Sequence, residues 1–389
     1  MITDTTAVLG ILAAVVAVAV LLEARYKPFR ALGSALVGIL LGMLLSNTGI
    51  IPGDSPAYVF LGGPAVSAGI VLILLTVDVR TVIQAGPRML AAFAVGALGS
   101  AVGASVAALL LVDSIGPETW KLAGQYTATY TGGGVNFAAV GAALETSGDL
   151  FAAGIAADVI VTAIWMAACL TVPLLFAGRA VQPAAGPTSV PSPAPASSDG
   201  AESATLQEML YSSVGAISLL DIAIMVLVVL AALSISGMLG EMLAPIPSVL
   251  WLTTIALILA QVPAVQRLNG AGVIGNYLVL LFLASNGARS VIANIVAVGP
   301  PVVYYALITV GVHGVIIFGL GRFVGLDLKT LAVASQAAVG GPASAMALAT
   351  ARGYTDRLLP GVAVGLLGYA AGNYLGLFVA TLLRGVIGG

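Results

Sequence analysis

The sequence predicts an all-α polytopic membrane protein made of two inverted repeats, each with five transmembrane helices plus a re-entrant hairpin or broken helix. Three observations carry that expectation. Of 389 residues, 60% are hydrophobic and only 8% charged, more apolar surface than a soluble domain can hide. Apolar windows of roughly 17–25 residues, the length a helix needs to cross the hydrocarbon, follow one another with little interruption. Two of these windows contain glycine clusters, TYTGGGVN at 129–136 and SQAAVGGPAS at 335–344, where an uninterrupted helix is disfavoured.

Taken in order, the first half offers windows at 7–22, 31–46, 60–77, 89–112, 122–144 and 150–176. The first follows Asp4 with no Lys or Arg before it, unlike the basic start of a signal peptide, so it reads as a retained span. A Pro/Ala/Ser-rich stretch at 182–203 has too few apolar anchors to fold. The second half repeats the layout at 217–240, 247–263, 273–288, 301–321, 331–350 and 358–384. The expected organisation is a first membrane repeat over 1–180, a linker over 181–205 and a second membrane repeat over 206–389.

Local patterns recur at nearly constant offset. Arg80 and Arg289 follow matching apolar runs, with 289 − 80 = 209, and the glycine breaks at Gly132 and Gly340 give 340 − 132 = 208. Such a shift is the expected mark of internal duplication in transporters. Charge then decides between spanning and re-entrant readings, because Lys and Arg accumulate in cytoplasmic loops. If all twelve windows cross, 8 of the 14 basic residues fall inside; if 122–144 and 331–350 are re-entrant, only Lys121, Arg289 and Arg384 lie outside, leaving 14 − 3 = 11 inside. The re-entrant arrangement gives five spans per half. An odd number inverts the second half, so the two breaks enter from opposite faces.

Composition also excludes functions. A net charge of −2 with no Lys/Arg-rich run argues against nucleic acid as a partner. Cys169 is the only cysteine, and no HExxH motif occurs; this argues against a cysteine-based metal cluster, against any metal beyond a transported sodium and for no cofactor. His313, the only histidine, lies mid-span and reads as a packing residue rather than a proton relay. No catalytic residues are expected, and an intramembrane enzyme built on His313 and a serine is a remote alternative.

Paired helix breaks at membrane depth point to a translocated solute, since irregular backbone survives there only when protein buries it or a cavity wets it. The expected solute-binding groups of the first break are Thr129, Thr131, Gly132, Gly133, Gly134 and Asn136; those of the second are Gln336, Gly340, Gly341, Pro342 and Ser344. Arg289, an exception to the positive-inside pattern, is a further candidate because guanidinium grips carboxylates bidentately. Its twin Arg80 follows Asp78 and can pair with it. Asp158 is the foremost candidate cation ligand or proton carrier, as a carboxylate inside a span is costly without a partner. Asn373 and Asn286 are further candidate ion ligands. Glycines at 361, 365, 368, 372 and 376 suggest close helix packing, with Tyr369 and Tyr374 beside them.

The GGGVN and GGPAS breaks, with LLPGVAVGLLGYAAGNYLG at 358–376, resemble the YjcL-like family of uncharacterised prokaryotic integral membrane proteins over essentially the whole chain. The arrangement is also similar to the sodium–glutamate and 2-hydroxycarboxylate symporters, whose re-entrant loops carry GGxG; here neither Gly132-Gly133-Gly134-Val135 nor Gly340-Gly341-Pro342-Ala343 is a strict match. The resemblance implies a plasma-membrane, sodium-coupled symporter of a small anionic solute, elevator-like and homodimeric. Residue patterns alone imply a secondary transporter in the lipid bilayer; sodium or a proton is the expected coupling ion, and a proton-coupled transporter or antiporter is the alternative.

Overall fold

The computed structural model describes residues 1–176, 216–243 and 248–387. The Pro/Ala/Ser-rich linker expected at 181–205 lies outside the described residues. Among these, the regular structure is entirely helical. The first half comprises α1 (Thr5–Arg25), α2 (Lys27–Asn47), α3 (Pro56–Leu74, widened by a π-turn at Leu61–Ala65), the short α4 (Val79–Gln84), α5 (Pro87–Ile115), α6 (Thr119–Gly132), α7 (Gly134–Ala143) and α8 (Gly148–Phe176). The second comprises α9 (Leu219–Met242), α10 (Ser248–Ala260), the short α11 (Pro263–Gln266), α12 (Ala271–Ala288), α13 (Ile292–Val315, continued through a π-turn at Ile316–Leu320 to Gly321–Phe323), α14 (Leu328–Ala351) and α15 (Thr355–Ile387). The two short helices and two π-turns were not evident as hydropathy windows.

Lipid offers backbone groups no hydrogen bonds, so helix ends are finished locally. The Asp4 carboxylate accepts from Ala7 N at 2.8 Å to start α1, and Ser218 and Asp221 form a reciprocal capping box on α9. Buried hydroxyls turn back onto their own helices, as Thr309 does to the Tyr305 carbonyl at 2.8 Å and Thr131 to the Thr127 carbonyl at 2.7 Å.

By length and composition, nine helices among the described residues can cross a membrane, α14 included. Contacts show that α14 instead doubles back at Gly341, whose φ of 77° and ψ of −172° are non-helical. Its ends are adjacent: Asp327, before its first turn, is 3.5 Å from Arg357, and Lys329 stacks over Tyr354 at 5.3 Å. A straight helix of that length would hold them about 36 Å apart. α6 and α7 form the same kind of hairpin about Gly133 (φ 91°, ψ 176°). Lys121 Nζ donates to the Glu145 carbonyl at 2.9 Å, Ser147 N to Glu118 at 3.1 Å, and the Thr146 hydroxyl to the Gln125 side chain at 2.9 Å.

The helices sort into two groups. One contains α1, α2, α3, α9, α10 and α12; the other contains α5, both hairpins, α8, α13 and α15. Small residues set the closest approaches: a side chain at Gly287 would run into the Ile39 carbonyl, and one at Gly103 into that of Thr309. In the first group α2 packs on α12 and α3 on α10, while α3 and α12 cross where Gly69 and Gly275 face each other's carbonyl. Tracing the chain, Lys121, Arg289 and Arg384 fall on the face carrying the mouth of the first hairpin. Arg25, Lys27, Arg80, Arg88, Arg267, Arg322, Lys329, Arg352 and Arg357 fall on the other.

Each hairpin mouth is closed by a carboxylate. Burial opposes ionisation of Glu118, but hydrogen bonds from Lys121 and Ser147 outweigh it and hold its carboxyl below the usual range. At Asp327 burial is likewise outweighed by hydrogen bonds from Thr330 and by Arg357. With folded-state values lowered, both groups stabilise the fold above the ordinary carboxylate range of about 4 and lose that contribution as pH falls through their lowered values. The melting temperature in detergent is therefore expected to fall on acidification below about pH 4, and to fall less in the Glu118→Gln/Asp327→Asn double variant. Superimposable profiles would contradict this.

Candidate functional site

The two hairpins meet end to end along α15. From the first, Gly124 faces Gly376 and Ala380, Ala128 faces Gly372 and Gly376, and Gly132 meets the Gly368 carbonyl. From the second, Val333 and Ala345 face Gly361, and Pro342 faces Gly365. Reading up α15, the second hairpin ends where the first begins, so they approach from opposite ends. At the junction the two breaks touch: the place a Cβ would take on Gly133 is 3.4 Å from Gly341 N. A left-handed φ is needed at only one residue of each cluster, Gly133 and Gly341. Gly132, Gly134 and Gly340 keep helical geometry, and Gly132 is required for close approach rather than for a turn.

Each tip ends one helix and begins another. The ten-residue α7 starts at Gly134 and the second arm of α14 at Pro342; their free N–H groups and positive dipole ends are aimed at the junction. Gly134 and Ala343 are exposed there.

The side chains around the tips hold an unusual number of buried polar atoms without partners. Asn136 donates to the Gly368 and Tyr369 carbonyls at 3.1 and 3.0 Å, but its Oδ1 accepts nothing. The Thr129 hydroxyl is unpartnered, and so are both amide atoms of Gln336, which is fully buried beside Gly340 and Ser344. Burying an unsatisfied polar group costs roughly 1–3 kcal/mol, so these atoms favour water or a bound polar group at the junction.

Asp158 stands beside the first tip, with Oδ2 3.9 Å from the Cβ position of Gly134 and Oδ1 accepting from Thr162 at 3.3 Å. The Tyr130 hydroxyl lies near this carboxylate without ordinary hydrogen-bond geometry. Asp158 is the only buried carboxylate among the described residues, and no Lys or Arg there forms an ion pair with it.

Other expected site residues lie elsewhere. The Thr131 hydroxyl is committed to its own helix. Arg289 ends α12 and packs against Gly148 at the mouth of the first hairpin, ten residues or about 15 Å along α8 from Asp158. Asn286 donates to the Phe282 carbonyl at 3.1 Å within the α2–α12 contact. Asn373 lies one turn beyond Tyr369 and reaches the Thr253 hydroxyl of α10 at 3.4 Å, leaving its Oδ1 unpartnered. It therefore sits between the two helix groups, as does Tyr374, whose hydroxyl is 2.7 Å from that of Thr254.

Sequence reasoning did not single out Tyr130 or Thr162, although Tyr130 is inside the first glycine motif and Thr162 is one helical turn from Asp158. It also missed the surroundings of His313. The Gly96 carbonyl, 2.9 Å from Nδ1, can only accept, so Nδ1 carries the proton. Nε2 then accepts from the Ser335 hydroxyl at 2.9 Å, and Ser335 accepts from the Trp165 indole at 2.9 Å. Ser100, 3.0 Å from Nδ1, donates to the Tyr130 carbonyl at 2.5 Å. Both ring nitrogens are used, and the chain of bonds ties both hairpins to α5, α8 and α13.

Residues 10–386 match a family model described as "Protein of unknown function (DUF819)". The chain is 28% identical over 388 residues, covering 97% of it and 96% of the relative, to the uncharacterized membrane protein YjcL of Bacillus subtilis (strain 168). The relative's description and the nine candidate spans among the described residues agree with a multi-pass membrane protein.

Because, within the two glycine clusters, only Gly133 and Gly341 need left-handed backbone, Gly133→Ala and Gly341→Ala should each lose about 1–2 kcal/mol from forced φ alone. Gly134→Ala, at an exposed helical position, should stay within about 0.5 kcal/mol of the parent. Thermal unfolding in detergent reads the difference, and equal losses in all three would refute the assignment of the breaks.

Proposed function

The chain belongs to the DUF819 family, and on that premise we propose that it is a secondary active transporter, a sodium-coupled symporter of a small carboxylate-bearing solute. The observation that carries this reading is the meeting of two glycine-broken hairpins, Gly133 against Gly341, amid unpartnered buried polar atoms. Discontinuous helices that present their ends to a common point inside the bilayer are a recurrent solution for binding solutes and ions there. The N-terminal ends of α7 and the second arm of α14 favour an anionic group, with Gln336 and Ser344 as hydrogen-bonding partners. The oxygens of Asp158, Asn136, Thr129 and Tyr130 favour a cation. A sodium ion beside Asp158 would remove the burden of a buried carboxylate without a basic partner.

The proposal includes an internal inverted repeat. Its support is reciprocal packing at nearly constant offset: Gly69 faces Gly275, with 275 − 69 = 206, and Gly133 faces Gly341, with 341 − 133 = 208. The α2–α12 contact is answered by α10–α3. The positive-inside rule then puts the mouth of the first hairpin outside, since only Lys121, Arg289 and Arg384 of the described basic residues lie on that face. The division into two helix groups suits an elevator-like movement, with α5, α8, α13, α15 and the hairpins as the carrier. The remaining helices would be the scaffold and the dimer contact. Proton coupling is the second reading, favoured by Asp158 being the only buried carboxylate among the described residues.

Uptake into proteoliposomes should respond to an imposed sodium gradient, and Asp158→Asn should abolish that response while leaving folding intact. A response to a pH gradient alone would favour the proton reading. No response to either gradient across a panel of small carboxylates would contradict active transport.

A further inference from the structure

Away from the hairpin junction, a cavity of about 470 Å³ lies between the two helix groups, at the face carrying the first hairpin's mouth. Two irregularities converge on it. Gly62, Gly63 and Pro64 line it from the π-turn of α3, and single π-turns cluster at functional sites. Glu145 lines it from just beyond α7 with a φ of 51°, the one non-glycine residue with positive φ among those described. Such strain persists only where the surroundings hold it. From α7 it is lined by Ala139 and Ala142, which continue the helical face of Val135 towards the exposed tip at Gly134 beside Asp158. Ser67, Ser236 and Ser248 supply hydroxyls from α3, α9 and α10.

We propose that this cavity is the water-filled access path by which the coupling cation reaches Asp158 from the first hairpin's face, an inference that rests on the transport reading above. Glu145 is the only charged residue in its lining. Lys121, which donates to the Glu145 backbone carbonyl, is ion-paired with Glu118. A narrow cleft with one uncompensated carboxylate between low-dielectric walls concentrates cations and repels anions. Serine hydroxyls and a small-residue face let a partly hydrated ion pass along α7 to the tip, where the carboxylate of Asp158 receives it.

The test uses full-length protein in proteoliposomes carrying Ser248→Cys or Ser67→Cys, two cavity-lining positions that are not buried, since the native Cys169 is buried and the unsubstituted protein serves as control. Cationic and anionic impermeant methanethiosulfonates are applied from the first hairpin's face. Both cysteines should react, the cationic reagent several-fold faster, and adding Glu145→Gln should erase that preference. Modification should then raise the sodium concentration that half-saturates uptake. The proposal is overturned if neither cysteine reacts in protein with a parental melting temperature, if the two reagents react at equal rates, or if full modification leaves the half-saturating sodium concentration unchanged. Failure of the transport reading shows separately, as absence of gradient-driven uptake in the unmodified protein, because the labelling rates do not depend on uptake.

Discussion

Backbone amides that leave a helix inside lipid must find a new partner or a protected place, and the structure is arranged around that requirement. At Gly133 and Gly341 the chain abandons helical geometry for a single residue. Each tip is sheltered by the other and by the mid-part of α15, where Gly365 and Gly368 bring backbone against backbone. The three- and four-residue spacing of glycines in α15 follows from this, because it must receive one hairpin below and another above without side chains intervening. Closing each mouth with a carboxylate, Glu118 or Asp327, follows too, since a hairpin held only at its tip would splay.

On the transport reading, the buried polar groups at the tips are satisfied by a bound solute or ion. His313 shows the opposite case: Gly96, Ser100 and Ser335 satisfy its ring nitrogens, Trp165 donates to that Ser335, and the network binds the two hairpins and three long helices into one body. Gln336, one residue from Ser335, has no such company. The contrast between a saturated network behind the tips and an unsaturated one at them separates scaffold chemistry from the chemistry offered to a ligand.

Much of this was legible in the sequence because hydropathy and glycine are strong local signals. The twelve apolar windows correspond to helices or hairpins, and the charge distribution selected hairpins over spans for the two broken windows. The glycine triplet located the first break but not which glycine turns; only the fold reveals that Gly132 is needed for contact with α15 and Gly133 for its φ. Three-dimensional neighbours were beyond reach for the same reason. Arg289 looked anomalous by topology, yet it sits at a hairpin mouth against Gly148, about 15 Å along α8 from Asp158. Tyr130 and Thr162 gained significance only once α6 and α8 were placed side by side. The cavity beside Glu145 is formed by four separate segments and has no linear signature.

The central claim is that two hairpins enter from opposite faces and meet at their tips. Single cysteines at the mouths, Ser147→Cys for the first and Lys329→Cys for the second, labelled with an impermeant maleimide in sealed vesicles of known orientation, test it most directly. The account predicts that each is labelled from one face only and that the two faces differ. Labelling of both from the same face would contradict it.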